Sequence, residues 1–248
     1  MNKRYAFIIL VCAALLPLRV LAAAPTAAYA PWEVTGSRSA AAYLDGDSIP
    51  ERVDASSSDG YTQLTITFGD GRAAEVPIGA GESIALVRLY SADLTGDGSS
   101  ELIALTRDPP RDTYVVTIVG SPSGELSLLP VPAATDDAYR FQAVFARGYV
   151  LEISNQTYSF VQSVPVAAPE TRAAYREDGT SPNTLVAAVS AFVDCTFAAY
   201  NGRPALELWQ EITSNVQNQT LGYVVSTVVW EDGAPRLVGQ RYAAKQQG

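Results

Sequence analysis

An acidic segment occurs twice in the chain, 50 residues apart, and this internal repeat is the sequence feature that most restricts the fold. The first acidic segment, residues 43–53, reads YLDGDSIPERV, and the second, residues 93–103, reads DLTGDGSSELI. Leucine, glycine, aspartate and glutamate coincide in the two copies, and each copy precedes a polar turn, an apolar run and a glycine-containing turn. A period of about 50 residues with several strands per unit is typical of β-propeller blades and related β arrays.

Short runs rich in β-branched and aromatic residues, bounded by Gly, Pro, Asp and Ser, predict strands along most of the chain. The clearest are YTQLTITF (61–68), SIALVRLYSAD (83–93), ELIALT (101–106) and TYVVTIV (113–119). The sequences FGDGR and SPSGE predict hairpin turns. Residues 168–177 and 181–192 predict short helices, although Val186, Val189 and Phe192 would also suit a strand. We therefore expect an all-β fold, a propeller-like repeat array of short antiparallel strands with at most one or two short helices.

The N-terminus has the layout of a secretory signal peptide. Lys3 and Arg4 precede an apolar run over residues 6–16, and small residues at 22–24 fit a cleavage site. Pro17 and Arg19 interrupt the apolar run before it reaches the roughly 20 residues of a membrane span. We expect a secreted, extracellular or cell-envelope protein with no membrane insertion after cleavage.

The domain boundaries follow from these patterns. We expect a signal peptide at 1–24, an N-terminal linker at 25–39 and one β-repeat domain at 40–248, with repeats near 43–92 and 93–142 and a divergent C-terminal part at 143–248.

Composition excludes several functions. Residues 1–24 contain three of the 17 basic residues and none of the 26 acidic ones, so the remaining chain has a formal charge of −12. Nucleic acids and anionic lipids are poor partners for such a chain, because binding them needs basic patches. The chain has no histidine, which excludes a histidine base and histidine zinc ligands. Cys195 is the one cysteine after cleavage, and its apolar surroundings predict a buried, unreactive thiol.

The second acidic segment has the chemistry of a calcium loop. Oxygen-bearing side chains occupy its positions 1, 3 and 5, Gly98 at position 6 allows a sharp turn, and a carboxylate follows at position 9. Calcium takes six to eight oxygens at about 2.3–2.6 Å, whereas magnesium prefers a tighter octahedron with retained waters. The alternative is a solvated Asp-Gly turn without an ion. The predicted ligands are Asp93, Thr95, Asp97, the carbonyl of Ser99, and Glu101.

The first acidic segment is less complete. Tyr43 replaces the carboxylate at position 1, and Ser48 replaces the glycine at position 6. Asp45, Asp47 and Glu51 remain, so the segment is either a weaker metal site or a vestigial turn.

These segments resemble the calcium loop of the FG-GAP and VCBS repeats, Asp-x-Asn/Asp-x-Asp-Gly-x-x-Asp/Glu, which lies between two strands of extracellular β-propeller-like domains. Glu101 is at position 9 rather than 12 and strands flank the loop, so an EF-hand is excluded. Thr95 stands at the third position of the motif, where these repeats usually have Asn or Asp. Residues 205–242 also resemble the last segment of secreted VCBS-type proteins of Gram-positive bacteria. The resemblance implies a fold and a structural Ca²⁺ more than an activity.

Two function classes remain after these exclusions. The first is a non-catalytic binding or scaffold module that contacts a protein or a cell-wall glycan. The alternative is a carbohydrate-active enzyme with a carboxylate pair, which needs two carboxyl groups roughly 5–10 Å apart across a cleft. Its candidate carboxylates are Asp136, Asp137, Glu152, Glu177, Asp178 and Glu211. Trp32, Trp209 and Trp230 could stack on sugars in either class, although packing is the default role of such residues.

Overall fold

The structure, a computed structural model, describes residues 38–58, 61–80, 85–108, 113–121, 124–166, 174–181, 186–215 and 219–245. These residues form strands β1–β15 and one 3-10 turn at Asp137–Tyr139, without an α-helix. All strand pairs are antiparallel, which confirms the predicted all-β class for the described residues. The predicted leader and linker residues 25–37 lie outside the described residues, whereas residues 38 and 39 begin β1.

Two four-stranded sheets share one topology, in which consecutive strands are neighbours. The first sheet contains β1 (Arg38–Ala42), β2 (Glu51–Ser58), β3 (Tyr61–Thr67) and β4 (Ala73–Ala80). The second sheet contains β5 (Ala85–Ala92), β6 (Glu101–Asp108), β7 (Thr113–Gly120) and β8 (Ser127–Leu129). Each acidic segment connects the first and second strands of its sheet. The two sheets therefore span residues 38–80 and 85–129, and each begins one strand before its acidic segment.

The third sheet has seven strands in the order β11-β10-β9-β12-β13-β14-β15. Its edge strands β11 and β15 lie close enough for one hydrogen bond, in which the backbone N–H of Tyr242 donates to Oε1 of Gln162 at 3.2 Å. The strands are β9 (Gln142–Ala146), β10 (Val150–Asn155), β11 (Phe160–Pro165), β12 (Val186–Tyr200), β13 (Arg203–Thr213), β14 (Thr220–Glu231) and β15 (Ala234–Ala244).

The second sheet is the middle layer of the molecule. Leu102 and Val119 pack with the core of the first sheet, whereas Ile103 and Ile118 pack with residues of the third sheet. All six residues at 101–106 are consequently buried. A strand covered on both faces reads as a continuous apolar run, which explains the sequence LIAL.

The 3-10 turn at Asp137–Tyr139, of which Tyr139 is buried, is attached to the third sheet by three side-chain amides. Asn155 donates to the carbonyl oxygens of Asp137 and Ala138, each at 2.9 Å. Gln240 donates to the carbonyl of Ala138 at 2.8 Å, and Gln210 donates to that of Tyr139 at 3.0 Å. Buried carbonyls need such partners, so these amides determine where the connection between the second and third sheets runs.

The four clearest predicted strands are confirmed as β3, β5, β6 and β7, and FGDGR forms the turn between β3 and β4. The helix predicted at 181–192 is wrong for residues 186–192, which belong to β12. Antiparallel pairing of Ala188 with Thr213 and of Val189 with Ile212 outweighs the helix propensity of the alanines. Of the helix predicted at 168–177, residues 168–173 lie outside the described residues, Ala174 has a 3-10 conformation, and residues 175–177 are not helical.

Candidate metal centre

Both acidic segments fold through hydrogen bonds between aspartate side chains and nearby backbone N–H groups. In the first segment, Asp45 Oδ1 accepts from the N–H of Asp47 at 3.1 Å, and Asp47 Oδ1 accepts from Ile49 at 2.6 Å. Gly46 adopts a φ of 76°, in the left-handed region that a side chain disfavours. These local bonds form the tight turn that brings alternate side chains to one side.

The glutamate at position 9 has the same place in both segments. Glu51 and Glu101 are the first residues of β2 and β6, and only 0% and 2% of their surfaces are exposed. Oε2 of Glu51 accepts from the N–H of Leu44 at 2.6 Å, and Oε2 of Glu101 accepts from Leu94 at 2.6 Å. The sequence repeat therefore corresponds to a repeated hydrogen bond between the glutamate carboxylate and the backbone N–H of the leucine seven residues before it.

The carboxylates converge in the first acidic segment. One carboxylate oxygen from each of Asp45, Asp47 and Glu51 lies within 4.8 Å of the other two. Oε1 of Glu51 is buried and has no hydrogen-bond partner within the part of the chain that the structure describes. Burial raises the pKa of Glu51, and the nearby Asp45 and Asp47 carboxylates act in the same direction. A buried carboxylate close to two further carboxylates is an arrangement that a cation would stabilise.

The carboxylates of the second acidic segment are engaged with the protein itself. Asp93 accepts from the N–H groups of Gly96 at 2.6 Å and Gly98 at 3.0 Å, and Asp97 accepts from Ser99 at 2.8 Å. The hydroxyl of Thr95 donates to Oε1 of Glu101 at 3.0 Å. Asp93, Asp97 and Glu101 do not form a convergent set like that of the first segment, although all three are described.

Burial raises the pKa of Glu101 to about 7, although the hydrogen bonds from Leu94 and Thr95 oppose this shift. The Asp97 and Asp93 carboxylates raise it further. At neutral pH this side chain is therefore partly protonated in the metal-free protein. In the second segment, the hydrogen bond from Thr95 and partial protonation both reduce the cost of burying Glu101. In the first segment, one oxygen of Glu51 has no such partner among the described residues.

The two acidic segments contact each other. The N–H of Ser100 donates to the carbonyl of Tyr43 at 2.5 Å, and a Cβ on Gly46 would lie 3.1 Å from Oγ of Ser99. Since one segment belongs to the first sheet and the other to the second, their contact joins the two layers.

The donor set of the first segment suits calcium. Three carboxylates supply negatively charged oxygens, and the exposed Asp47 leaves room for water and backbone carbonyls to complete the shell. The sequence pattern favours the second segment, because Tyr43 and Ser48 break the pattern in the first. Those positions affect the turn, but they do not remove any of the three convergent carboxylates.

Four of the six candidate carboxylates of the enzyme alternative have hydrogen-bond or ion-pair partners within the protein. Asp136 accepts from the N–H of Ala133, Asp178 accepts from Thr180, and Asp137 pairs with Arg140. Glu211 accepts a hydrogen bond from the hydroxyl of Thr220. Glu152 and Glu177 are exposed.

Two of the three tryptophans are described, and they occupy different environments. Trp230 is 1% exposed, packs in the core between the second and third sheets, and donates to the carbonyl of Pro130 at 3.2 Å. Trp209 is half-buried on the outward face of the third sheet. Cys195 is fully buried, and burial raises its thiol pKa to about 12.

No family model, no curated protein and no solved structure matches the chain. Within the described residues, no helix has the length and apolar character that crossing a membrane requires.

Proposed function

We propose that this chain is an exported calcium-binding β-repeat protein that acts as a non-catalytic extracellular or cell-surface binding module. The observation that carries the proposal is the convergence of the Asp45, Asp47 and Glu51 carboxylates, of which Glu51 has a buried oxygen without a hydrogen-bond partner among the described residues. The signal-like N-terminus and the acidic composition support an exported protein that collects cations.

Calcium at the first acidic segment would have a structural role. Without a cation, burial of the unpartnered Glu51 oxygen opposes folding, because a buried charge without a partner is costly. A cation bound only by the folded chain adds RT ln(1 + [L]/Kd) to the free energy of unfolding, about 2.7 kcal/mol at 100 times Kd. Asp45, Asp47 and Glu51 would hold the ion, and the ion would fix the connection between β1 and β2.

The second acidic segment would bind calcium more weakly. Aspartate oxygens of both segments accept from backbone N–H groups, so the difference lies in the glutamates. Oε1 of Glu101 accepts from the hydroxyl of Thr95, whereas Oε1 of Glu51 has no partner among the described residues. A cation must compete with the Thr95 donor and with protonation of Glu101. The affinity order is thus the reverse of the order that the sequence pattern predicts.

The test is calorimetric titration of chelator-treated protein with calcium and, separately, with magnesium. We expect the first acidic segment to prefer calcium, because three carboxylates on a short loop suit a larger, less regular shell. Glu51→Gln keeps an acceptor for the N–H of Leu44 but removes the charge, so calcium affinity should fall at least about tenfold. The same variant should unfold at a higher temperature than wild type in chelator, because it removes an unpartnered buried charge.

Glu75→Gln is the matched control, because Glu75 is an exposed carboxylate on β4 of the same sheet. It should bind calcium as wild type does. Absence of binding at millimolar calcium, or equal affinity in wild type and Glu51→Gln, would contradict the assignment.

A further inference from the structure

The outward face of the third sheet carries a cluster of aromatic and charged side chains, which we term the indole face: Glu207, Trp209, Glu211, Tyr223 and Arg241. Antiparallel register places Trp209 opposite Val225, and Val225 opposite Arg241. Residues directly opposite each other share one face of a sheet. The inward neighbours Leu208 and Ser226 are buried, so the indole face is the side turned away from the core.

The indole of Trp209 is held in place without being buried. Its Nε1 donates to Oγ1 of Thr196 on β12 at 2.9 Å. The ring of Tyr223 meets it edge-to-face, with centroids 5.7 Å apart and an interplanar angle of 72°. A ring fixed by neighbours on two strands loses little conformational freedom when a ligand binds.

Arg241 completes the arrangement from β15. Its Nη2 donates to both carboxylate oxygens of Glu207 at 3.0 Å, and its guanidinium carbon lies 5.5 Å from the centroid of the Trp209 ring. Val225, between Trp209 and Arg241 in the register, is completely buried although it points outward. The two long side chains therefore cover it and form a continuous surface.

This surface offers donors and acceptors together. The side chain of Arg241 is 49% exposed, and its Nη1 and Nε are available to donate because both bonds to Glu207 use Nη2. Burial raises the pKa of Tyr223, and the carboxylates of Glu211 and Asp194 add to that shift, so its hydroxyl stays protonated. The carboxylates of Glu207 and Glu211 accept hydrogen bonds.

We propose that the indole face binds a neutral oligosaccharide, with sugar rings stacked against Trp209 and Tyr223 and hydroxyl groups bonded to Arg241, Glu207 and Glu211. A hydroxyl both donates and accepts, so a sugar can use carboxylates and a guanidinium side by side. An anionic polymer would meet a chain of formal charge −9 and no basic excess on this face. The inference rests on the proposed binding role but is independent of the calcium site.

Binding on this face is expected without cleavage. Glu207 and Glu211 lie on the same side of one strand, and four residues at about 3.3 Å each separate them by about 13 Å. Glycoside hydrolysis uses carboxyl groups roughly 5–10 Å apart. Each of these glutamates is also bonded within the protein, Glu207 to Arg241 and Glu211 to Thr220.

The experiment measures migration of the protein in native gels that contain hydroxyethylcellulose, soluble starch or glycol chitin. Isothermal titration with glucose and N-acetylglucosamine hexamers then gives the affinity. We expect at least one of these neutral glycans to retard the wild-type protein. Trp209→Ala should weaken that binding by about tenfold or more, since it removes the stacking surface.

Arg241→Ala is a second variant that leaves the indole and the core in place, and it should also weaken binding. Tyr158→Ala is the matched control, because Tyr158 is an aromatic side chain that is 52% exposed in the turn between β10 and β11. It should bind as wild type does. Retention of full binding by both indole-face variants would overturn the proposal, as would the absence of binding to every neutral glycan.

Glycan binding measured with and without calcium distinguishes failure of this inference from failure of the proposed function. The glycan measurements are made in chelator and in millimolar calcium, and we expect the same affinity in both. Glycan binding without any calcium response would support the indole face and contradict the metal site. A calcium response without glycan binding would support the metal site and overturn the indole face. Release of reducing ends would contradict the non-catalytic part of the proposed function.

Discussion

The backbone N–H of Ser100 donates to the carbonyl oxygen of Tyr43 at 2.5 Å, and this hydrogen bond joins the two acidic segments. Each segment connects the first two strands of its own sheet, so the bond also links the first layer of the molecule to the second. A cation at Asp45, Asp47 and Glu51 would fix the backbone on one side of this contact. Calcium would therefore stabilise the packing of two sheets as well as one turn.

Gly46→Ala tests the contact between the acidic segments. A Cβ at Gly46 would lie 3.1 Å from Oγ of Ser99, and φ is 76°. Gly96, the equivalent residue of the second segment, has a φ of 79° and no atom within 4 Å of such a Cβ. Both changes should cost about 1–2 kcal/mol for the left-handed backbone. Gly46→Ala should cost about 0.5–1.5 kcal/mol more in urea unfolding, because Ser99 must leave its preferred rotamer.

Adding Ser99→Ala to Gly46→Ala should remove that extra cost. Equal stability of Gly46→Ala and Gly96→Ala would show that the two segments do not pack against each other as described.

The metal-free protein should lose stability as pH rises from about 4.5 to about 7. Burial raises the folded pKa of Glu101 to about 7 from its ordinary value of 4.5. Between these values folding takes up a proton, so this contribution is most favourable below the unfolded pKa and is lost as pH rises through the folded pKa. The loss from Glu101 is on the order of 3 kcal/mol. Urea unfolding in chelator at several pH values measures it.

Glu101→Gln should flatten most of this pH dependence, because the amide resembles the protonated acid. A smaller slope should remain, since the pKa of Glu51 is also raised by burial. An unchanged slope in Glu101→Gln would show that other groups control the acid stability.

Asn155→Ala should destabilise the protein by about 2–3 kcal/mol in denaturant unfolding. The buried amide of Asn155 donates to the carbonyls of Asp137 and Ala138, and its Oδ1 accepts from the N–H of Thr157. The truncation removes these bonds, although the carbonyl of Ala138 keeps its bond from Gln240. Asn215→Ala is the control, because the amide of Asn215 is exposed where it donates to the carbonyl of Val186. It should cost less than about 1 kcal/mol. Similar losses in the two variants would contradict the anchoring role of the 3-10 turn.

Features that depend on neighbouring residues were predictable from the sequence. Alternation of Leu64 and Ile66 with polar residues identifies β3, because successive side chains of a strand point to opposite faces. The position of Glu101 at the start of β6 follows from the spacing of the second acidic segment. Both patterns need only a few consecutive residues.

Features that depend on distant pairing were not predictable. β1, with the sequence RSAAA, has little strand propensity and exists because Ala40 pairs with Val53 of β2. The union of β9–β11 with β12–β15 in one sheet rests on the pairing of Val186 with Val144. The convergence of carboxylates in the first segment likewise depends on the buried position of Glu51, which its spacing alone does not show.

A crystal structure of the protein grown in millimolar calcium would show directly whether the first acidic segment binds an ion. We predict one ion there, bonded at about 2.3–2.6 Å to Oε1 of Glu51 and to carboxylate oxygens of Asp45 and Asp47. The occupancy there should be at least as high as at Asp93, Asp97 and Glu101. Occupancy of the second segment with none at the first, or the absence of an ion at both, would contradict it.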